Sequence, residues 1–323
     1  MSGMKRRIIA LSILIIIFFI WWQPINLGAT EVTIPKGVSA KEIAEFLARY
    51  QIVRDVHEFL FWLKISGKEK ELKSGTYQLQ RYRNPLYVIN ELSHGGKSDI
   101  LVTIPEGLTL YETAEILEIN GVINKEHFLA LCNDQDFIRE AGLKGNSLEG
   151  YLFPDTYSFN PSQSDSEIIM TFVDNFKKHL KKFSLEKVDS IYQIIILASM
   201  VEKEAKFEDE RPIIAKVFLN RLRHNRPLES CATVFYALKK IDYDKYRTKT
   251  KLLDRDLRVN SPYNTYLHTG LPPAPICSPG EGSIKAVISP ADVDYLYFVS
   301  MGNGRHHFSR TFREHIIAKE KYK

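Results

Sequence analysis

The sequence predicts an α+β protein in three parts: a cytoplasmic tip and transmembrane helix over residues 1–28, a small βααβ module over 29–100, and a mixed α/β domain over 101–323. Three observations predict it. An unbroken apolar run opens the chain, a strand–turn–capped helix pattern then occurs twice, and the second half alternates apolar helical stretches with short aromatic strands. With 323 residues the chain can build two cores, and its 44% hydrophobic and 26% charged residues exclude disordered and collagen-like classes. The net charge of +5 is spread thinly, so no nucleic-acid partner is indicated; it suits an anionic surface or polymer. Cys132, Cys231 and Cys277 show neither CxxC spacing nor a zinc-type histidine pattern, and no metal or cofactor is expected. Cys132 reads as a small buried residue, whereas Cys231 and Cys277 could pair in an oxidising compartment.

The apolar run covers residues 8–22, behind Lys5-Arg6-Arg7. It is short for a spanning helix, but Ile25 and Leu27 extend it past Pro24. Trp21 and Trp22 end it where a cleaved signal would carry small residues, and tryptophan suits the membrane–water interface. The expectation is an uncleaved, single-pass anchor in the cytoplasmic (inner) membrane. The cations before the run keep the N-terminus inside, so the remainder is expected on the periplasmic or extracytoplasmic side.

The repeat pairs Val32-Thr33-Ile34-Pro35-Lys36-Gly37-Val38-Ser39 with Val102-Thr103-Ile104-Pro105-Glu106-Gly107-Leu108-Thr109. In each copy a β-branched strand ends at proline, which cannot donate to a ladder, and glycine permits a turn. Ser39 and Thr109 are helix caps, with Glu42 and Glu112 three residues later to close capping boxes. Ile43, Phe46 and Leu47 in one copy, and Ala114, Ile116 and Leu117 in the other, mark the buried faces of the helices. In the first copy a second helix over 56–65 and a returning strand over 74–79 complete a unit that resembles a LysM-like module, a small fold that holds glycan chains. The second copy runs into EGYLFPDTY at 149–157. Tyrosine faces beside carboxylates and amides suit a sugar, whose ring has an apolar face and a polar rim; a packed turn has the same composition.

Residues 191–206 read as a buried helix, apolar at Ile194, Ile195, Ile196, Leu197, Ala198, Met200 and Val201, and closing on Glu202-Lys203-Glu204. The two glutamates stand about 200° apart around the axis, so they cannot share one cleft. Side chains lean over the preceding turn, which sets Glu204 over Met200 and Val201, and Glu202 over Ala198 and Ser199. The more apolar neighbourhood disfavours the Glu204 anion, as a general acid working near neutrality requires. The competing reading is a surface glutamate beside the charged stretch Glu208-Asp209-Glu210-Arg211. A helix over 212–224 carries Asn220 and Arg221. Next, Tyr263, Asn264, Thr265 and Tyr266 precede Gly270-Leu271-Pro272-Pro273, in a loop that suits either a rigid polymer-binding rim or a structural turn. Tyr295-Leu296-Tyr297-Phe298-Val299 is a strand by composition, and His306 opens the element after it.

At these residues the chain resembles the YceG-like endolytic lytic transglycosylases of bacterial peptidoglycan, over nearly its whole length. The resemblance is carried by EGYLFPDTY at 149–157, LASMVEKEA at 197–205, VFLNRL at 217–222, YNTY at 263–266, GLPP at 270–273, SPG at 278–280 and YLYFV at 295–299. It implies an N-terminal anchor, a LysM-like module and a YceG-like catalytic domain. The second glutamate of Glu202-Lys203-Glu204 is the one it marks as catalytic, in agreement with the helical-face argument. Expected substrate-binding residues are Glu149, Tyr151, Asn220, Tyr263, Asn264, Thr265, Tyr266 and His306. Two departures stand out. Cys231-Ala232-Thr233 occupies the place of the family's Asp-Pro-Thr, so an acid is missing there. Ala205 follows Glu204 where some relatives have a hydroxyl, which therefore cannot be required.

The resemblance implies that protonated Glu204 donates to the glycosidic oxygen between N-acetylmuramic acid and N-acetylglucosamine. Its carboxylate then takes the proton of the muramoyl 6-hydroxyl as a 1,6-anhydro ring closes. One carboxylic acid suffices because the nucleophile belongs to the substrate, whereas ordinary glycosidases need a second. Such an enzyme would trim or end nascent strands, and its partners would be peptidoglycan glycan strands, the cytoplasmic membrane and cell-wall synthesis enzymes. Two alternatives stand beside it: a glycan hydrolase with Glu149 or Glu202 as second carboxylate, and a non-catalytic, membrane-anchored wall-binding scaffold. Neither a GxSxG elbow nor a Cys–His signature supports a serine or cysteine hydrolase.

Overall fold

The computed structural model describes residues 29–322 apart from 36, 96–98, 161, 162 and 184–190. It divides into two compact units: residues up to Ile100 together with Ser158–Gln163, and Leu101–Tyr157 together with Ser164–Lys323.

In the first unit β1 (Ala29–Ile34) and β2 (Gly75–Gln80) pair antiparallel, with Val32 opposite Tyr77. Strand alternation turns Val32, Ile34, Tyr77 and Leu79 into the core. Between the strands, α1 (Ala40–Arg49) and α2 (Val56–Ser66) bury Ile43, Leu47, Phe59 and Leu63 against the same core. The cap of α1 is reciprocal: Ser39 Oγ accepts from the Glu42 N–H at 3.3 Å, and Glu42 Oε2 accepts from the Ser39 N–H at 2.6 Å. A further helix, α3 (Pro85–His94), adds Val88, Ile89 and Leu92. Unlike α1, α3 has no capping box to announce it in the sequence. Its start is written only in Asn84, which caps it, and in Pro85, whose missing N–H has no partner to lose in the first turn.

The expected membrane anchor is corrected here. A spanning helix needs about 20 consecutive apolar residues, and among the described residues no helix is long and apolar enough to cross a membrane. The apolar run at 8–22 lies outside the described residues. Over the described residues the fold is α+β with small sheets and contains no membrane-spanning helix, in place of the helix read from the sequence.

The strands β3 (Ile100–Ile104) and β4 (Asp155–Phe159) form a second two-stranded sheet. In the second unit β3 leads into α4 (Leu110–Ile119), α5 (Lys125–Cys132) and α6 (Gln135–Glu140), and α7 (Asp165–Lys182) follows β4. The second capping box closes like the first: Thr109 Oγ1 accepts from the Glu112 N–H at 3.2 Å, and Glu112 Oε2 from the Thr109 N–H at 2.9 Å. Thr109→Ala leaves a helix-end donor without its acceptor. It is expected to lower unfolding stability by about 1 kcal/mol in denaturant titration; an unchanged midpoint would mean the box contributes nothing.

The hub of the second unit is α8 (Ile191–Glu204), which buries Ile195, Ile196, Leu197, Ala198, Ser199, Met200 and Val201. It packs on α9 (Arg211–Arg223), α10 (Cys231–Ile241) and α12 (Glu281–Ile288); the short α11 (Tyr243–Tyr246) lies between the last two in sequence. Met200, Val201, Ile214, Phe218, Leu228 and Ile276 share one apolar cluster. Ser199, though buried, is fully paired: its hydroxyl donates to the Ile196 carbonyl at 2.7 Å and accepts from the Ile276 N–H at 3.0 Å. That second bond pins the proline-rich loop to the hub helix. The loop also lies directly on Gly150, where φ is +86° and a Cβ would fall 2.5 Å from Pro275. Finally β5 (Tyr297–Ser300) and β6 (His306–Ser309) make a hairpin, with Ser300 opposite His306, and α13 (Phe312–Lys321) ends the chain's described helices.

Candidate active site

Glu204 is the last residue of α8. Its Oε1 accepts a hydrogen bond of 2.5 Å from Ser230 Oγ, the residue just before α10. Burial raises the Glu204 pKa; the Ser230 hydrogen bond, the charge of His306 and the Ala232 backbone oppose that rise without cancelling it. The carboxyl is only partly covered, and its open side faces a cleft. One lobe, of about 390 Å³, is lined by Thr109, Lys203, Glu204, Cys231, Tyr236 and Lys239, among others. A second, of about 500 Å³, shares Glu204 and Cys231 and adds Arg221, Tyr266, Phe298, His306 and Lys319. A third, of about 300 Å³, adjoins the first at Thr109, Tyr236 and Lys239 and reaches Glu149, Lys240 and Tyr243. The carboxylic acid therefore stands between open lobes rather than at the bottom of a blind pocket, the arrangement a long polymer needs to lie across it.

Glu202 has a different fate. Its Oε1 lies 3.3 Å from Arg211 Nη2 and its Oε2 accepts from the Gly280 N–H at 3.0 Å. It is tied into an ion pair and a loop on the other side of the helix, where it cannot serve the Glu204 cleft.

The sequence-predicted binding residues separate into three groups. Tyr266 and His306 line the cleft beside Glu204, Tyr266 with its hydroxyl 3.2 Å from Cys231 Sγ. Glu149 lies in the third lobe and is buried: Oε1 accepts from the Leu110 N–H and Oε2 from the Tyr236 hydroxyl, each at 2.9 Å. Burial pushes its pKa up to about 7 despite those donors. The other residues support the walls. Thr265 accepts from the Ser230 N–H at 3.1 Å and stands 2.9 Å from the Thr233 hydroxyl, so it fixes the residue that holds Glu204. Tyr263 packs on Tyr236, ring centroids 4.9 Å apart. Asn264 is fully buried and spends its amide on the Leu257 and Val259 carbonyls. Asn220 does the same with the Val293 and Tyr295 carbonyls. Tyr151 is buried on Phe176 and donates to the Lys144 carbonyl at 2.8 Å. The side-chain donors of Asn220, Asn264 and Tyr151 are thus committed to backbone carbonyls.

Sequence reasoning missed Ser230, Tyr236 and Glu210. Ser230 was detectable as a cap-type residue ahead of a helix, although its hydroxyl goes to Glu204 instead of the helix N–H groups. The three cysteines are free: Cys132 and Cys277 are buried and Cys231 is exposed, so Cys231 and Cys277 do not pair. Among the described residues no cluster of His, Cys, Asp or Glu could hold a metal ion.

The sequence profile of the YceG-like family matches residues 32–321. The chain belongs to the YceG-like family. A Bacillus subtilis (strain 168) protein named endolytic murein transglycosylase is 33% identical over 314 residues, covering 90% of this chain and 84% of that one. A protein of the same name from Streptococcus pneumoniae serotype 2 is 30% identical over 325 residues, and the match takes in 89% of this chain but 58% of the pneumococcal one. Among solved structures, a yceG-like protein from Listeria monocytogenes is 31% identical, with a TM-score of 0.62 and coverage of 90% of this chain and 98% of that one. In this YceG-like chain Cys231 is an exposed thiol that lines the cleft, while the adjacent Ser230 makes the bond to Glu204.

Proposed function

We propose that this chain is an endolytic peptidoglycan lytic transglycosylase that cleaves the β-1,4 bond between N-acetylmuramic acid and N-acetylglucosamine with Glu204 as its acid/base. The observation that carries the reading is one carboxyl of raised pKa, at the end of a buried helix, that lines two open lobes of a cleft. Relatives named endolytic murein transglycosylases support the substrate class. Glu204 enters the reaction protonated and gives its proton to the leaving oxygen as the glycosidic bond breaks. The carboxylate so formed removes the proton of the muramoyl 6-hydroxyl as that oxygen bonds to the anomeric carbon, which regenerates the acid. Proton and electron pair balance without water. A hydrolase is less well supported, because Glu202 is held by Arg211 and Gly280, and Glu149 by Leu110 and Tyr236. The strand–helix–helix–strand start of the first unit, before its third helix, supports a LysM-like, glycan-holding role for it, ahead of a catalytic domain over 101–323.

Digestion of purified peptidoglycan glycan followed by mass analysis of chain ends tests the reaction. Internal cuts with 1,6-anhydro ends, one water lighter than reducing ends, are expected. Ends carrying the extra water would establish hydrolysis, and an undigested glycan would leave the chain a binding protein.

A further inference from the structure

The charged stretch at 208–211 hides one buried acid. Glu208 and Asp209 are exposed, but Glu210 is 5% exposed, in the 3₁₀ turn between α8 and α9. Both of its oxygens are turned onto a single residue: Oε2 lies 2.9 Å from His306 Nδ1, and Oε1 accepts from the His306 N–H at 3.1 Å. A carboxylate clamped in this way fixes the ring and keeps a proton on Nδ1, directed at Glu210. The ring is further held edge-on against Phe298, centroids 5.2 Å apart. It lines the same lobe as Glu204 and acts on the Glu204 carboxyl through its charge.

We propose that Glu210 and His306 form a working pair for Glu204, with Glu210 as positioning residue and His306 as the cation that supports the charge Glu204 acquires on giving up its proton. This rests on the reading of Glu204 as the acid. The pair itself neither gains nor loses a proton in the reaction. When the glycosidic bond breaks, negative charge appears on a carboxyl that burial disfavours as an anion, and positive charge on the ring that lines the same lobe stabilises it. Other charged or titratable groups around His306 are Arg305, the residue before its strand and 3.6 Å from Glu210, and Arg221, Glu229, Cys231, Tyr266, His315 and Lys319 in the shared lobe. Arg221 is paired with Glu229, and among the described residues no carboxylate clamps Lys319 as Glu210 clamps His306, so His306 is the basic group of this lobe that is held in a fixed position.

The test measures cleavage rate against pH for wild type, His306→Gln, His306→Lys, Glu210→Gln and Glu204→Gln. Activity requires protonated Glu204, so it falls as pH rises through the Glu204 pKa. His306→Gln removes a charge that holds that pKa down, and therefore moves the falling limb to higher pH. The plateau rate should also drop roughly ten- to a hundredfold. His306→Lys restores a cation and should bring the limb back toward wild type, which repair of packing alone would not do. Glu210→Gln should move the limb the same way and decides the matter if His306→Gln does not fold. A limb that stays in place in both variants overturns the pair's role and leaves His306 a structural clamp. A Glu204→Gln variant as active as wild type overturns the acid assignment as well, so the two failures are distinguishable.

Discussion

Glu204→Gln is expected to lower the rate of glycan cleavage by about two to four orders of magnitude, the usual contribution of a general acid. The amide is close to the acid in shape, so the loss should come without unfolding. It can still accept the 2.5 Å bond from Ser230 and rests on the same buried turn of α8. What it cannot do is release a proton to the leaving oxygen. Nothing else described in the cleft replaces it: Glu202 is committed to Arg211 and Gly280, and Glu149 to Leu110 and Tyr236. Rates on a defined glycan, with circular dichroism as the check on folding, measure the effect. A variant that folds and keeps more than a tenth of wild-type activity contradicts it.

The second large effect is on stability and belongs to Glu149. Its pKa stands near 7 in the folded chain against an ordinary glutamate value of 4.5, chiefly because the carboxyl is buried. A raised folded pKa means the native state holds its proton more tightly than the unfolded state. The stability this contributes is fully present below about pH 4.5, and it is lost as pH rises through about 7. A gap of that size corresponds to about 3 kcal/mol at most. Glu149→Gln has nothing to titrate; its amide oxygen can accept from the Leu110 N–H and its amide N–H can donate to the Tyr236 hydroxyl. Denaturant midpoints measured between pH 4 and pH 8 (roughly the window of the shift) should therefore fall more steeply for wild type than for the variant. Parallel curves would show that Glu149 does not titrate differently on folding.

What the sequence could disclose followed the range of the interaction. Capping boxes at Ser39 and Thr109 act over three residues, and both are legible in the chain and formed in the fold. The orientation of Glu204 is equally local, since the turn beneath a helical side chain is set three and four residues earlier. The supports of the site are not local. Ser230 reaches Glu204 from 26 residues away, Tyr236 reaches Glu149 from 87 and His306 reaches Glu210 from 96. No periodicity records such pairings. Glu210 was further hidden by composition, because three acids followed by an arginine read as a solvated surface. The same holds for Asn220, Asn264 and Tyr151. Their residue types suit sugar recognition, and in the fold their N–H and O–H donors go to backbone carbonyls that tertiary packing brings near. The membrane-spanning expectation rested on residues 8–22, which lie outside the described chain, while the described helices contain no membrane-spanning segment.

The claim on which the mechanism depends is that Glu204 keeps its proton into the range where the enzyme works. A carbon-13 NMR titration that follows the Glu204 carboxyl carbon, assigned by comparison with Glu204→Gln, tests it directly. The structure predicts a midpoint clearly above that of an exposed glutamate, moved up by burial and only partly restrained by Ser230 and His306. A midpoint at or below the ordinary glutamate value would mean that the carboxyl is already ionised when substrate arrives, and would contradict its role as the proton donor.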